Sequence, residues 1–223
     1  TKQEVDEHFS NSRPSEPLLP SRDLSITEIK PLQGISFENA NSVGAKASNL
    51  ATMHTFGFPA GMIPDGFVVP FSFYDDFMKR NGLYAKVDAM LSNAEFQQDR
   101  AVQQSMLNEL REQIEQGTIS APMMAALEKV QSSFPPGSAI RCRSSTNNED
   151  LAGFSGAGLY DSFTHKADEG SLAKSIKQVY ASLWNFRAFE EREFYRVDHK
   201  LTAMGVLLHP NFKGERANGV VVT

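Results

Sequence analysis

Residues 141–163, RCRSSTNNEDLAGFSGAGLYDSF, gather two arginines, a run of hydroxyl and amide side chains and three glycines into one short span. Arginine presents a planar fork of N–H donors that matches phosphate or carboxylate oxygens. Glycines let the backbone adopt positive φ and turn free N–H groups towards a close ligand. Together these residue types suit an anion with several oxygens. A solvent-exposed turn whose strand arginines pair with Glu149 and Asp150 would have the same composition. Two familiar phosphate loops are absent. GxxxxGK[ST] does not occur, because Lys46 lies in GAKAS, and Gly153, Gly156 and Gly158 are spaced GxxGxG rather than GxGxxG.

The flanking pattern indicates how such a loop is held. Residues 139–143 alternate apolar and polar side chains, as a strand buried on one face does, which places Arg141 and Arg143 on the same face. A second strand is predicted over 159–164, so the segment reads strand, loop, strand. Upstream, NSVGAKASNL (41–50) leads into a helix whose Ala47, Leu50, Met53 and His54 share one side, and Gly57, Pro59, Gly61, Pro64 and Gly66 end it. Phe67, Val68 and Val69 form a short buried strand, and Ser72 is the expected N-cap of a helix bearing Phe73 and Phe77. Helical spacing persists through residues 71–131, expected to form a helical subdomain. Leu172, Ile176, Val179, Leu183 and Phe186 then predict one helix continuing towards Tyr195. Strands are expected at 204–208 and 219–223. The fold class is α+β, a mixed or antiparallel sheet with flanking helices.

Composition narrows the function classes. The 223 residues are 40% apolar and can bury a sizeable core. A net charge of -5 argues against a general nucleic-acid binder, so any anion site is local. No apolar run approaches membrane-spanning length and the N-terminus has no apolar signal core, which predicts a cytoplasmic protein with no membrane partner. The lone Cys142 agrees with a reducing compartment. Residues 1–30, polar and carrying Pro14, Pro17 and Pro20, read as a poorly ordered tail or linker, and residues 31–223 as the domain. The chain stops on an apolar strand, so truncation at the C-terminus is expected.

Four blocks, in order, resemble the nucleotide-binding domain of the phosphoenolpyruvate synthase and pyruvate, phosphate dikinase family, an ATP-grasp fold. VGAKASNL (43–50) with GFPAGMIPDGFVV (57–69) is similar to the family's GGKGANL and GxPVPPGFVV. AIRCRSSTNNEDLAGFSGAGLYDSF (139–163) resembles AVRSSATAEDL followed by SFAGQ.DTF. VYASLWNFRAFEER (179–192) looks like a segment of SLW…RA type, and MGVLLHPNF with ANGVVVT resembles the strand pair entering the adenine hinge.

The resemblance implies an ATP-grasp-like N-terminal lobe that binds ATP with Mg2+, in a phosphotransferase that passes a phosphoryl group through a phosphohistidine on another domain to an acceptor such as pyruvate, leaving AMP. Lys46 and Arg143 would face the phosphates, Arg143 in a catalytic role; Gly156, Ala157 and Gly158 would cover them, with Asp161 and Ser162 at the loop base. His209 occupies the hinge position where the family often has glutamine, and Ala45 and Ala47 stand where the family has glycines. No phosphohistidine motif or magnesium carboxylates are found, so the C-terminal lobe, the phosphohistidine domain and the metal ligands are expected outside this chain. The alternative is a non-catalytic nucleotide-sensing or interaction module derived from the same fold.

Overall fold

The computed structural model describes residues 1–149, 151–214 and 219. In chain order the elements are α1 (Lys2–Ser12), β1 (Lys30–Pro31), α2 (Ala40–Val43), α3 (Ala45–Met53), β2 (Phe67–Val69), α4 (Phe71–Arg80), α5 (Leu83–Leu91), α6 (Ala94–Gln98), α7 (Arg100–Gln116), α8 (Ala121–Gln131), β3 (Ile140–Thr146), β4 (Phe163–His165), α9 (Ala173–Ser182), α10 (Phe186–Phe194) and β5 (Met204–Pro210). The strands form one sheet of order β1-β2-β5-β3-β4, every neighbour antiparallel. This is the α+β architecture expected. The second terminal strand predicted at 219–223 lies outside the described residues apart from Gly219.

Strand alternation divides the apolar residues between the two faces of the sheet. Ile140, Cys142, Val206 and Leu208 join a large core with α4, α5, α7, α8, α9 and α10, in which Trp184, Tyr74, Tyr180 and Phe77 are almost fully buried. The helices of residues 71–131 therefore share their core with the sheet. Cys142 is part of it, and burial pushes its thiol up to about 12. On the opposite face α3 covers Val68 and Leu207 with Ala47 and Ala51, beside Leu32, Ile35 and Val43.

Local chemistry moved several boundaries. The helix expected to run from 172 to 195 breaks in two, because Asn185 is extended and its side-chain oxygen caps α10 by accepting from the Ala188 N–H at 2.7 Å. Ser72 is not an N-cap. It lies inside α4, one residue after Phe71, and donates to the Ile26 carbonyl at 2.6 Å. β4 starts at Phe163, since residues 159–162 leave the ladder to complete the glycine-rich turn. Near the N-terminus, where the sequence suggested no element, a capping box between Thr1 and Glu4 starts α1. The segment that follows is tied down by a bridge between Leu18 and Val197 and by Arg22, which donates to Tyr84 Oη at 3.1 Å.

Candidate functional site

Two segments distant in sequence meet at the C-terminal end of β3. Gly44 caps α3 at φ 88°, and a Cβ there would sit 2.3 Å from the Ser145 carbonyl carbon, so only glycine permits this approach. Ser145 Oγ then accepts from the Ala47 N–H at 3.0 Å and supplies the cap that the helix lacks locally. Ala47 is fully buried in the α3 core. Lys46 is thereby placed beside β3.

Arg141, Arg143 and Ser145 share the α3 face of β3. Residues two apart on a strand are about 7 Å apart, so Arg143 lies one pleat from the seat of α3. Arg143 is exposed, and its side chain makes no hydrogen bond or ion pair among the described residues. Directly across the ladder are Leu207, opposite Arg143, and His209, opposite Arg141. Arg141 is engaged with β4, donating from Nη1 to Thr164 Oγ1 at 2.9 Å. His209 is only 8% exposed, and its Nδ1 lies 2.8 Å from the Pro210 carbonyl. Its Nε2 is buried without a hydrogen-bond partner among the described residues. Desolvation, with the two arginine charges adding to it, pulls the imidazole below its ordinary value. A neutral ring with one unmatched nitrogen can give or take a single hydrogen bond.

The start of the glycine-rich segment reaches Lys46. Lys46 Nζ pairs with Glu149 Oε1; the lysine side chain is 31% exposed and the glutamate 5%. Glu149 is the functional candidate that composition alone did not single out: it pairs with Lys46 of α3. The signal available in the sequence was electrostatic. A lysine in the first turn of a helix is unfavourable without an anion nearby, and Glu149 is that anion. Gly156 donates its N–H to the Glu149 carbonyl at 3.1 Å, and a Cβ on Gly156 would come within 2.9 Å of Glu149 Cα. Ala157 and Gly158 are exposed at the tip. Asp161 is exposed and Ser162 half-buried, and neither has a hydrogen-bond partner among the described residues. The arrangement unites Lys46, Glu149 and Gly156 and places Arg143 on the adjoining sheet face, whereas His209 lies further along that face.

The described residues include no cluster of three or more His, Cys, Asp or Glu side chains that could hold a metal. Glu149, the buried carboxylate of the site, is already engaged by Lys46. The described residues do not fit a protein-held magnesium ion.

Residues 40–223 match the family described as pyruvate phosphate dikinase, AMP/ATP-binding domain. A phosphoenolpyruvate synthase of Pseudomonas aeruginosa is 26% identical over 197 residues, covering 86% of this chain and 25% of that protein. A phosphoenolpyruvate synthase of Aquifex aeolicus is 27% identical over 210 residues, covering 91% and 24%, and one of Aeropyrum pernix is 26% identical over 205, covering 86% and 24%. The chain thus spans about a quarter of the length of the curated relatives it matches.

Proposed function

Because the chain belongs to the pyruvate phosphate dikinase AMP/ATP-binding domain family and is an ATP-binding lobe of dikinase type, we propose that Lys46 and Arg143 hold the phosphates of ATP beneath the Gly156-Ala157-Gly158 loop. Asp161 and Ser162 stand at the base of that loop, and His209 meets the nucleotide at the other end of the face. The longer protein is read as a phosphotransferase that moves a phosphoryl group from ATP, through a histidine on another domain, to an acceptor of pyruvate type, with AMP left behind.

The observation carrying this reading is the exposed Arg143, its side chain unpaired among the described residues, on the same sheet face as the seat of Lys46. A guanidinium unpaired among the described residues, on the sheet face that seats a lysine held by a carboxylate, is a site prepared for an anion. On binding, the terminal phosphates take over Lys46 from Glu149, and Arg143 neutralises charge that develops during transfer. The covering loop excludes water from the phosphates. Magnesium belongs to this reading as an ion held by phosphate oxygens and by carboxylates outside the described residues.

Calorimetric titration with ATP and magnesium tests it. Binding by the parent chain, weakened at least tenfold in both Lys46→Ala and Arg143→Ala, is expected. Equal affinity in parent and variants would refute these assignments, and silence in the full-length protein as well would refute the nucleotide reading.

A further inference from the structure

The ends of the glycine-rich loop are joined by buried side chains that the nucleotide chemistry leaves unexplained. Asn148, immediately before Glu149, is fully buried and donates from Nδ2 to Tyr160 Oη at 2.7 Å, across the mouth of the loop. Tyr160 Oη also accepts from Arg192 Nη1 at 3.2 Å. Arg192, on α10, is 0% exposed, and its Nε donates to His199 Nδ1 at 3.1 Å. His199 Nε2 lies 3.1 Å from Glu193 Oε2, so the ring accepts from the arginine and donates to the glutamate. The Trp184 ring lies 5.6 Å from the guanidinium carbon.

A fully buried guanidinium with no carboxylate partner among the described residues is costly, and stability alone is poorly served by it. Arg192 Nη2 has no hydrogen-bond partner among the described residues, and the two contacts through its other nitrogens are to neutral acceptors. Its effect falls on geometry: one rigid fork fixes Tyr160 against α10 and His199 together, and Tyr160 fixes Asn148. Asn185, which caps the same helix, adds a second tie from Nδ2 to the Leu159 carbonyl at 2.8 Å.

We propose that Arg192 is a positioning residue for the phosphate site, clamping both ends of the loop over 149–159 through Tyr160 and so holding Glu149 and Gly156 in register with Lys46. This rests on the reading of that loop as the phosphate cover. Arg192 touches no phosphate itself. Lysine cannot replace it, because an ammonium is a point charge without the fork that spans Tyr160 and His199.

The test is amide hydrogen exchange along the chain, without nucleotide, for the parent, Arg192→Lys, Tyr160→Phe and the double variant. Expected is exchange on the order of tenfold faster over 149–159 in each single variant, unchanged protection in β3, β5 and α9, and no further increase in the double. Uniform acceleration along the chain would show a merely structural role and overturn the proposal, as would an unchanged loop. If Arg192→Lys fails to fold, Tyr160→Phe decides in the same way, since it deletes only the hydroxyl that carries the clamp. ATP titration of the same proteins separates this proposal from the functional reading. Loss of affinity is expected in step with loop opening, whereas a loop effect in a protein that binds no ATP even at full length would sink the function and leave the clamp.

Discussion

Replacing Glu149 with glutamine isolates the competition at the heart of the site. The carboxylate holds Lys46 and is 5% exposed, while the lysine is 31% exposed. Glutamine keeps the shape and removes the charge. Taking about 6 Å between the carboxylate and the nearest phosphate charge and an effective dielectric of about 20, the repulsion removed is about 3 kcal/mol. Screening at the half-open Lys46 side reduces this to about 1–2 kcal/mol, or roughly 5–30-fold in Kd. Glu149→Gln should therefore bind ATP more tightly by that factor. The same change removes a partly buried ion pair and should lower folding stability by about 1–3 kcal/mol. Calorimetric titration beside thermal melts reads both. In Lys46→Ala the gain from Glu149→Gln should shrink, because part of it comes from releasing the lysine. Unchanged or weaker ATP binding in Glu149→Gln, with the protein folded, would refute the idea that Glu149 and the phosphates compete for Lys46.

Gly44→Ala should destabilise the chain by about 2–4 kcal/mol, read as a drop in melting temperature, because φ 88° is strained for alanine and its Cβ would meet the Ser145 backbone at 2.3–2.4 Å. Asn185→Ala should cost about 1–2 kcal/mol in denaturant unfolding, since it removes both the α10 cap and the tie to the Leu159 carbonyl. Burial, with the Arg192 charge adding to it, lowers the His199 pKa from 6.5 despite the opposing Glu193 and Asp198. The unfolded chain then takes up the proton first, so this contribution to stability is complete above about pH 6.5 and is lost as pH falls through the folded value, by at most about 1.4 kcal/mol per pH unit. Melts at pH 7.5 and 5.5 should show a smaller loss in His199→Gln than in the parent; an equal loss would remove His199 from the account.

The sequence alone determined what local pattern determines. Alternation along 139–143 put Arg141 and Arg143 on one face, and the ladder keeps them there. Helical spacing located α3, α7 and α8, and the ordered blocks from residue 41 onwards carried the family and its α+β fold. Where one side chain competes with a pattern, the pattern misled: leucine spacing runs unbroken through Asn185, yet a single capping bond divides the helix. The partners of the site were decided only by tertiary structure. Nothing in VGAKASNL tells that Ser145 caps its helix, nor anything in NNEDL that Glu149 answers Lys46 across a separation of 103 residues. Arg192 sits in a helix that reads as amphipathic scaffold, and its clamp exists only because the end of α10 packs beneath Tyr160. Spacing records which face a side chain takes on its own element; what stands opposite depends on chain closure over long separations, where burial and close backbone approach make the choice.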